Sequence, residues 1–96
     1  MKPFKFHPAA RQELREAIAF YDGRAIGLGA QFIDEVEFAI RRIREVPTAW
    51  PKLSQTVRRC VLHRFPYSVL YRESKGGIEI VAIMHQRRHP DTWKGR

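Results

Sequence analysis

The residues of this 96-residue chain that could do chemistry are four histidines, one cysteine, three tyrosines and a back half rich in arginine. His7, His63, His85 and His89 have no metal-finger spacing and Cys60 stands alone. Neither a four-ligand zinc site nor an internal disulfide is expected. Asp22, Asp34 and Asp91 have no evident pairing with His and Ser, and no acidic cluster offers magnesium a seat. Gly27 and Gly29 do not follow a strand, so they form no phosphate-cradling loop. No metal and no cofactor is expected. One catalysis remains within reach of this composition, general acid–base cleavage of RNA. Arginine would stabilise charge on the phosphorane while His or Tyr moves protons. Arg64, His85 and Arg87 are the candidates. The same arginines can instead hold phosphates or carboxylates without reaction, because the planar guanidinium bonds two oxygens at once.

The charge is unevenly placed. The formal net charge is +8; residues 1–50 hold eight Lys/Arg against seven Asp/Glu, and residues 51–96 hold ten against three. A positive field over the back half favours an anionic partner, whether nucleic acid, an acidic protein or a membrane surface. Hydrophobic residues make up 44%, which argues against disorder. No apolar run approaches the ~20 residues of a membrane span, and no apolar stretch follows Met1 as in a secretion signal. One domain over 1–96, without covalent staples and in the cytoplasm, is the expectation.

Residue order says which elements must position these groups. Lys2–His7 alternates as a short strand. Pro8 suits a first helical turn, and Ala10, Leu14, Ala17, Ile18, Tyr21 and Ala25 recur at helical spacing. After Gly27 and Gly29 the period resumes with Phe32, Val36, Ala39, Ile40 and Ile43, until Pro47. The helical charges read as a solvated exterior. Residues 47–55 read as a loop. The period then becomes two, over Val57–His63, Pro66–Arg72 and Ile78–His85, with Gly76-Gly77 as a turn. The order β-α-α-β-β-β predicts an α+β fold, with a helical hairpin packed on one face of a small, mainly antiparallel sheet. The other face is expected to be partly open, with Arg and His at its rim. A strict alternation puts Val81, Ile83 and His85 on one side, and Arg58, Cys60, Leu62 and Arg64 on one side of their own strand. Each residue also has a plainer reading. Arg58, Arg59 and Arg72 suit solvated strand positions, His85 a structural histidine, Tyr67 and Tyr71 core, and Trp50 and Trp93 caps on the core.

Taken in order, several segments resemble the RelE/ParE toxin superfamily of type II toxin–antitoxin pairs, and its ParE-like branch in particular. They are Pro8-Ala9-Ala10 with Glu13-Leu14, Ala17 and Phe20-Tyr21; Gly27-Leu28-Gly29 with Phe32; Pro47 with Trp50-Pro51; and Arg58-Arg59. Arg64-Phe65-Pro66-Tyr67 with Val69-Leu70-Tyr71 and Val81–His85 with Arg87-Arg88, Pro90 and Trp93 complete the set. The resemblance implies the β-α-α-β-β-β fold and a role in growth arrest or plasmid stabilisation. The partners it implies are a cognate acidic antitoxin, in a toxin–antitoxin hetero-oligomer, and a cellular target. ParE-like members poison DNA gyrase; RelE-like members cut mRNA on the ribosome with a basic set and a C-terminal Tyr. Here Ser68 stands where RelE-like nucleases carry Arg, and Trp93 in place of the Tyr. The gyrase poison, a binding protein and not an enzyme, is therefore the first expectation, and the ribosome-dependent mRNA endonuclease is the alternative. On the nuclease reading Arg59, Arg64, His85 and Arg87 are catalytic. Target binding is expected from Arg58, Arg59, Arg64, Arg87, Arg88, Trp93 and Arg96, and antitoxin binding from Arg59, Arg72, His85 and Arg87.

Overall fold

The computed structural model describes residues 1–96. Strand β1 (Phe4–Phe6) leads into helices α1 (Pro8–Asp22) and α2 (Leu28–Glu45), followed by strands β2 (Arg58–Val61), β3 (Tyr67–Ser74) and β4 (Gly77–His85). The sheet order is β1-β4-β3-β2; β1 runs parallel to β4, and the other pairs are antiparallel. This is the expected order and architecture. No helix is long and apolar enough to cross a membrane.

Local chemistry explains the helix ends. His7 Nδ1 accepts the Ala9 N–H at 3.1 Å, and Pro8 fills the first turn where no N–H is missed. Helix α1 stops at Asp22, short of Ala25, with Gly23 as its cap; Ala25 and Ile26 are exposed in the connecting loop. Helix α2 follows Gly27, whose φ of +81° is the left-handed region, and has no cap from its own N-terminal residue. Asp22 supplies one from across the hairpin, its Oδ1 accepting the Gly29 N–H at 3.0 Å. The last hairpin turns at Lys75-Gly76, both with positive φ, and Ser74 pairs with Gly77. The turn thus lies one residue before the Gly76-Gly77 pair, and Gly77 opens β4.

The sheet is buried on both faces. Ala10, Ala17, Phe32, Val36, Ile40 and Ile43 from the helices meet Cys60, Leu62, Val69, Tyr71, Ile78, Ile80 and Ile83. On the far face, Val57, Leu70, Val81, Ala82 and Met84 pack with Trp93. That face, expected to be partly open, is closed over this cluster by the segment after β4 and stays open at its β2 end. A bulge changes the expected alternation. Leu70 pairs with Ala82 but Tyr71 pairs with Ile80, so Val81 is the extra residue. Ile80 and Ile83 therefore share the helix side, and Val81 joins Met84 on the far side.

Strand β1 covers β4 only from Ile78 to Ile80. Past that point side chains satisfy the β4 edge. Glu13 of α1, 7% exposed, accepts the Ile83 N–H at 3.1 Å. Arg96 Nη1 donates to the Val81 carbonyl at 3.1 Å, and its two terminal nitrogens grip the two Glu13 oxygens at 2.8 and 2.9 Å. Arg72 donates to the backbone oxygen of Arg96 at 2.8 Å and pairs with Glu79. Glu13 is the exception to the solvated helix exterior read from the sequence.

Two stability outcomes follow. Asp22→Ala removes the borrowed α2 cap and should cost about 1 kcal/mol, seen as a fall of roughly 5 °C in Tm. Asp22→Asn keeps an acceptor and should retain most of that stability; equal losses in both variants would show that the cap contributes nothing. Glu13→Ala strands a largely buried guanidinium and a buried N–H and should cost about 3 kcal/mol in urea unfolding. A cycle with Arg96→Ala should show strong non-additivity, with a coupling of roughly 2 kcal/mol. Additive losses would mean that the pair does not act as a unit.

Candidate functional site

At the β2 end of the far face, three chain segments converge on a groove of about 680 Å³. Arg59 comes from β2, His63 and Arg64 from the β2–β3 loop, and Arg88 and Pro90 from the strap of residues 86–96 after β4. Val61, Ser68 and Met84 lie between them, and no Asp or Glu lines the groove.

Each wall is held from the helical side. Phe65 is buried against Phe32 and Tyr21, at ring separations of 5.1 and 4.8 Å, which anchors the loop. One carboxylate oxygen of Glu35 on α2 accepts the backbone N–H groups of His63 (2.7 Å) and Arg64 (2.9 Å). One turn earlier on α2, Gln31 accepts from Arg64 Nη2 at 2.6 Å. The loop is thus fixed while the Arg64 guanidinium stays exposed beside a neutral partner. Arg59 is exposed on β2, whose edge is tied where its N–H donates to the Pro51 carbonyl at 3.0 Å. On the strap, Gln86 N–H donates to the Pro66 carbonyl at 2.8 Å, and Arg88 reaches Glu13 at 3.5 Å with 44% of its side chain still exposed.

Of the arginines singled out by sequence, the fold brings Arg59, Arg64 and Arg88 together. It places the others elsewhere. Arg58 points to the helix side and donates to the carbonyls of Trp50 (2.7 Å) and Thr48 (3.3 Å), holding the loop after α2. Arg72 and Arg96 are engaged at the β4 edge, and Trp93 is buried in the far-face cluster. Arg87 is exposed on the strap outside the groove lining. His85 ends β4 beside Tyr67, ring to ring at 5.0 Å, and its Nδ1 accepts the Arg87 N–H at 3.0 Å. Tyr67 precedes Val69 and Tyr71 on the helix-facing side of β3, so His85 and Arg59 are separated by one intervening strand and by the sheet itself.

Burial pushes the Tyr67 hydroxyl above its ordinary pKa, with Tyr21 and Glu16 adding and Arg88 opposing, so at neutral pH it keeps its proton. Burial likewise raises the Cys60 thiol, with Arg42 opposing, which leaves it inert. The groove can therefore grip an anion with three guanidiniums and neutral donors. His63 is the one imidazole in its lining, and His85 is not part of it. Sequence reasoning missed Glu13, Gln31 and Glu35, the residues that hold the walls. Glu13 had a visible signal, an acid flanked by Ala10, Leu14 and Ala17 on an apolar helical face. Gln31 and Glu35 had none, since an i, i+4 polar pair looks solvated until a loop is laid over it.

The structure is similar to a chain of the chromosomal ParDE TA system from P. aeruginosa, with a TM-score of 0.74 and 21% identity, covering 88% of this chain and 96% of that one; the likeness is one of fold. In sequence, the chain is 30% identical to Toxin ParE2 of Mycobacterium tuberculosis in two strains, CDC 1551 / Oshkosh and H37Rv, over 92% of this chain and 85% of the relative. The family model described as ParE toxin of type II toxin-antitoxin system, parDE, matches residues 4–90, and the chain therefore belongs to the ParE toxin family of type II toxin–antitoxin systems.

Proposed function

We propose that this chain inhibits DNA gyrase by binding, without chemistry of its own, and is neutralised by a cognate acidic antitoxin. The observation that carries the reading is the division of labour across the sheet. Arg59, Arg64 and Arg88 gather on the far face, while His85, the base named for the nuclease alternative, stands on the helix face beside Tyr67. The two positions that separate this chain from RelE-like nucleases add support. Ser68 and Trp93 are both buried, so neither side chain is presented to a substrate. A binding poison needs no proton donor or acceptor; it needs a preformed surface of one sign, and an acid-free groove is such a surface.

The antitoxin reading rests on two features that one acidic, amphipathic segment would match. One is the basic groove. The other is an apolar cleft of about 500 Å³ between β1 and the helices, lined by Phe4, Phe6, Leu14, Ile33, Val36 and Ile40, with two cations, Arg41 and Arg44, against one acid, Glu37, among its lining residues. Burying such apolar surface contributes roughly 25 cal/mol per Å², and the surrounding cations select an acidic partner.

Purified toxin should stop gyrase supercoiling and leave cleaved DNA trapped on the enzyme, and the antitoxin should reverse both effects. Undiminished supercoiling at saturating toxin, with ribosome-bound mRNA cut instead, would replace this reading with the nuclease. Arg59→Ala combined with Arg64→Ala should weaken inhibition about tenfold or more, equivalent to at least ~1.4 kcal/mol, with only a small fall in Tm from the lost, exposed Arg64–Gln31 hydrogen bond. Arg58→Ala should do the reverse, lowering Tm because two carbonyls lose their donor, with inhibition retained by the folded fraction. The pair of assays tests whether groove arginines and structural arginines are distinct sets.

A further inference from the structure

We infer that the groove takes a phosphodiester backbone, so that the chain grips nucleic acid directly when it acts. The inference rests on the reading of the groove as the target-facing surface and adds what that surface touches.

The argument is one of charge and spacing. Arg59, Arg64 and Arg88 come from three separate segments, and no carboxylate lines the space between them. Two acids that hold the walls, Glu35 and Glu13, are already committed. Glu35 accepts two backbone N–H groups of the loop, and Glu13 takes the Ile83 N–H and the Arg96 fork. Arg64 is steadied by a neutral amide and lies over the Phe65 ring at 5.7 Å, so it is oriented while keeping its full charge. Arg59 makes no side-chain ion pair, and Arg88 makes one at 3.5 Å that leaves much of its side chain in solvent. Three cations along one groove call for an anion that repeats along its length. A phosphodiester strand supplies one charge per nucleotide whatever the sequence, whereas a peptide would need an acid at each matching place.

The remainder of the lining suits the same ligand. Val61, Pro66 and Met84 give an apolar floor for sugars, and the exposed Gln86 is a neutral group of the kind that bonds phosphate oxygens. Contacts of this class position a strand without reading its bases, so binding should be indifferent to sequence and steep in salt. DNA and RNA share this backbone, and the two sources are separated by experiment.

Fluorescence anisotropy with a labelled 20-mer DNA duplex, and with a single-stranded RNA of the same sequence, tests this between 50 and 200 mM salt. Three phosphate contacts predict a slope of about −2.7 in log K against log[salt] for the duplex and about −2.1 for the single strand. The stronger binder identifies the source. Arg59→Gln and Arg64→Gln should each flatten the duplex slope by about 0.9, with little change in the circular dichroism melt, since neither side chain holds a buried carbonyl. No binding of either nucleic acid at 50 mM salt overturns the proposal. So does a slope unaffected by both substitutions, which would place the contact elsewhere on a basic chain. Capture of a poly-glutamate peptide, but neither nucleic acid, would make the groove an acidic-protein site and also overturn it. Supercoiling assays on the same proteins separate this from the wider reading. Wild-type protein that binds DNA through the groove yet spares gyrase sinks the gyrase proposal alone. Variants that no longer bind DNA yet still inhibit gyrase sink the phosphodiester proposal alone.

Discussion

Much of this structure depends on the Glu13 carboxylate and the β4 edge it serves. Strand β1 is three residues long and leaves β4 unpaired from Val81 onward. An edge with bare N–H and C=O groups in a packed interior costs free energy for each group left unmet. Two side chains meet that need, Glu13 on the Ile83 N–H and Arg96 on the Val81 carbonyl, and they meet each other in a two-pronged ion pair. The pair is nearly dry, so its own net stabilisation is modest; its worth lies in the large cost of having one partner without the other.

That pair has consequences along the chain. Arg96 can reach Glu13 only if the strap folds back, and folding back lays Trp93 over Leu70, Val81, Ala82 and Met84. A four-stranded sheet this small would otherwise expose an apolar face. The strap covers it and leaves open only the β2 end, where the groove lies. Arg88 then sits between the two functions, near Glu13 on one side and lining the groove on the other. The far face is thus core at one end and surface at the other. The helix face is built differently, with the Phe32, Phe65, Tyr21 and Tyr67 rings fixing the β2–β3 loop so that its arginine points outward.

Much of the fold was legible because it rests on local regularities. The change from a period of 3.6 to a period of 2 near Val57, the proline at residue 8 and the breakers at 27 and 47 mark four of the element boundaries within a few residues. Phe32, Val36, Ile40 and Ile43 declare the buried face of α2 by spacing alone. The misses share a cause. Ala25 continues the helical spacing but lies past Gly23, where the chain must turn to let Asp22 reach Gly29. Val81 breaks an alternation that the sequence shows as unbroken, because a bulge is decided by pairing with β3. Residues 76 and 77 are both glycine, and only strand register says which of them turns.

The sequence by itself determined the element order, the buried faces of the helices and the concentration of positive charge after residue 50. These follow from backbone preferences and from the free energy of burying apolar side chains, which act over a few residues at a time. It could not determine which arginines face the groove. Arg58, Arg72 and Arg96 look like Arg59, Arg64 and Arg88 in sequence, but the first three spend their guanidiniums on carbonyls and carboxylates brought to them by packing, across as many as 83 residues for the Arg96–Glu13 pair. A guanidinium's availability is set by what the fold places within 3 Å of it. Only the tertiary structure decided that, and with it which arginines line the groove.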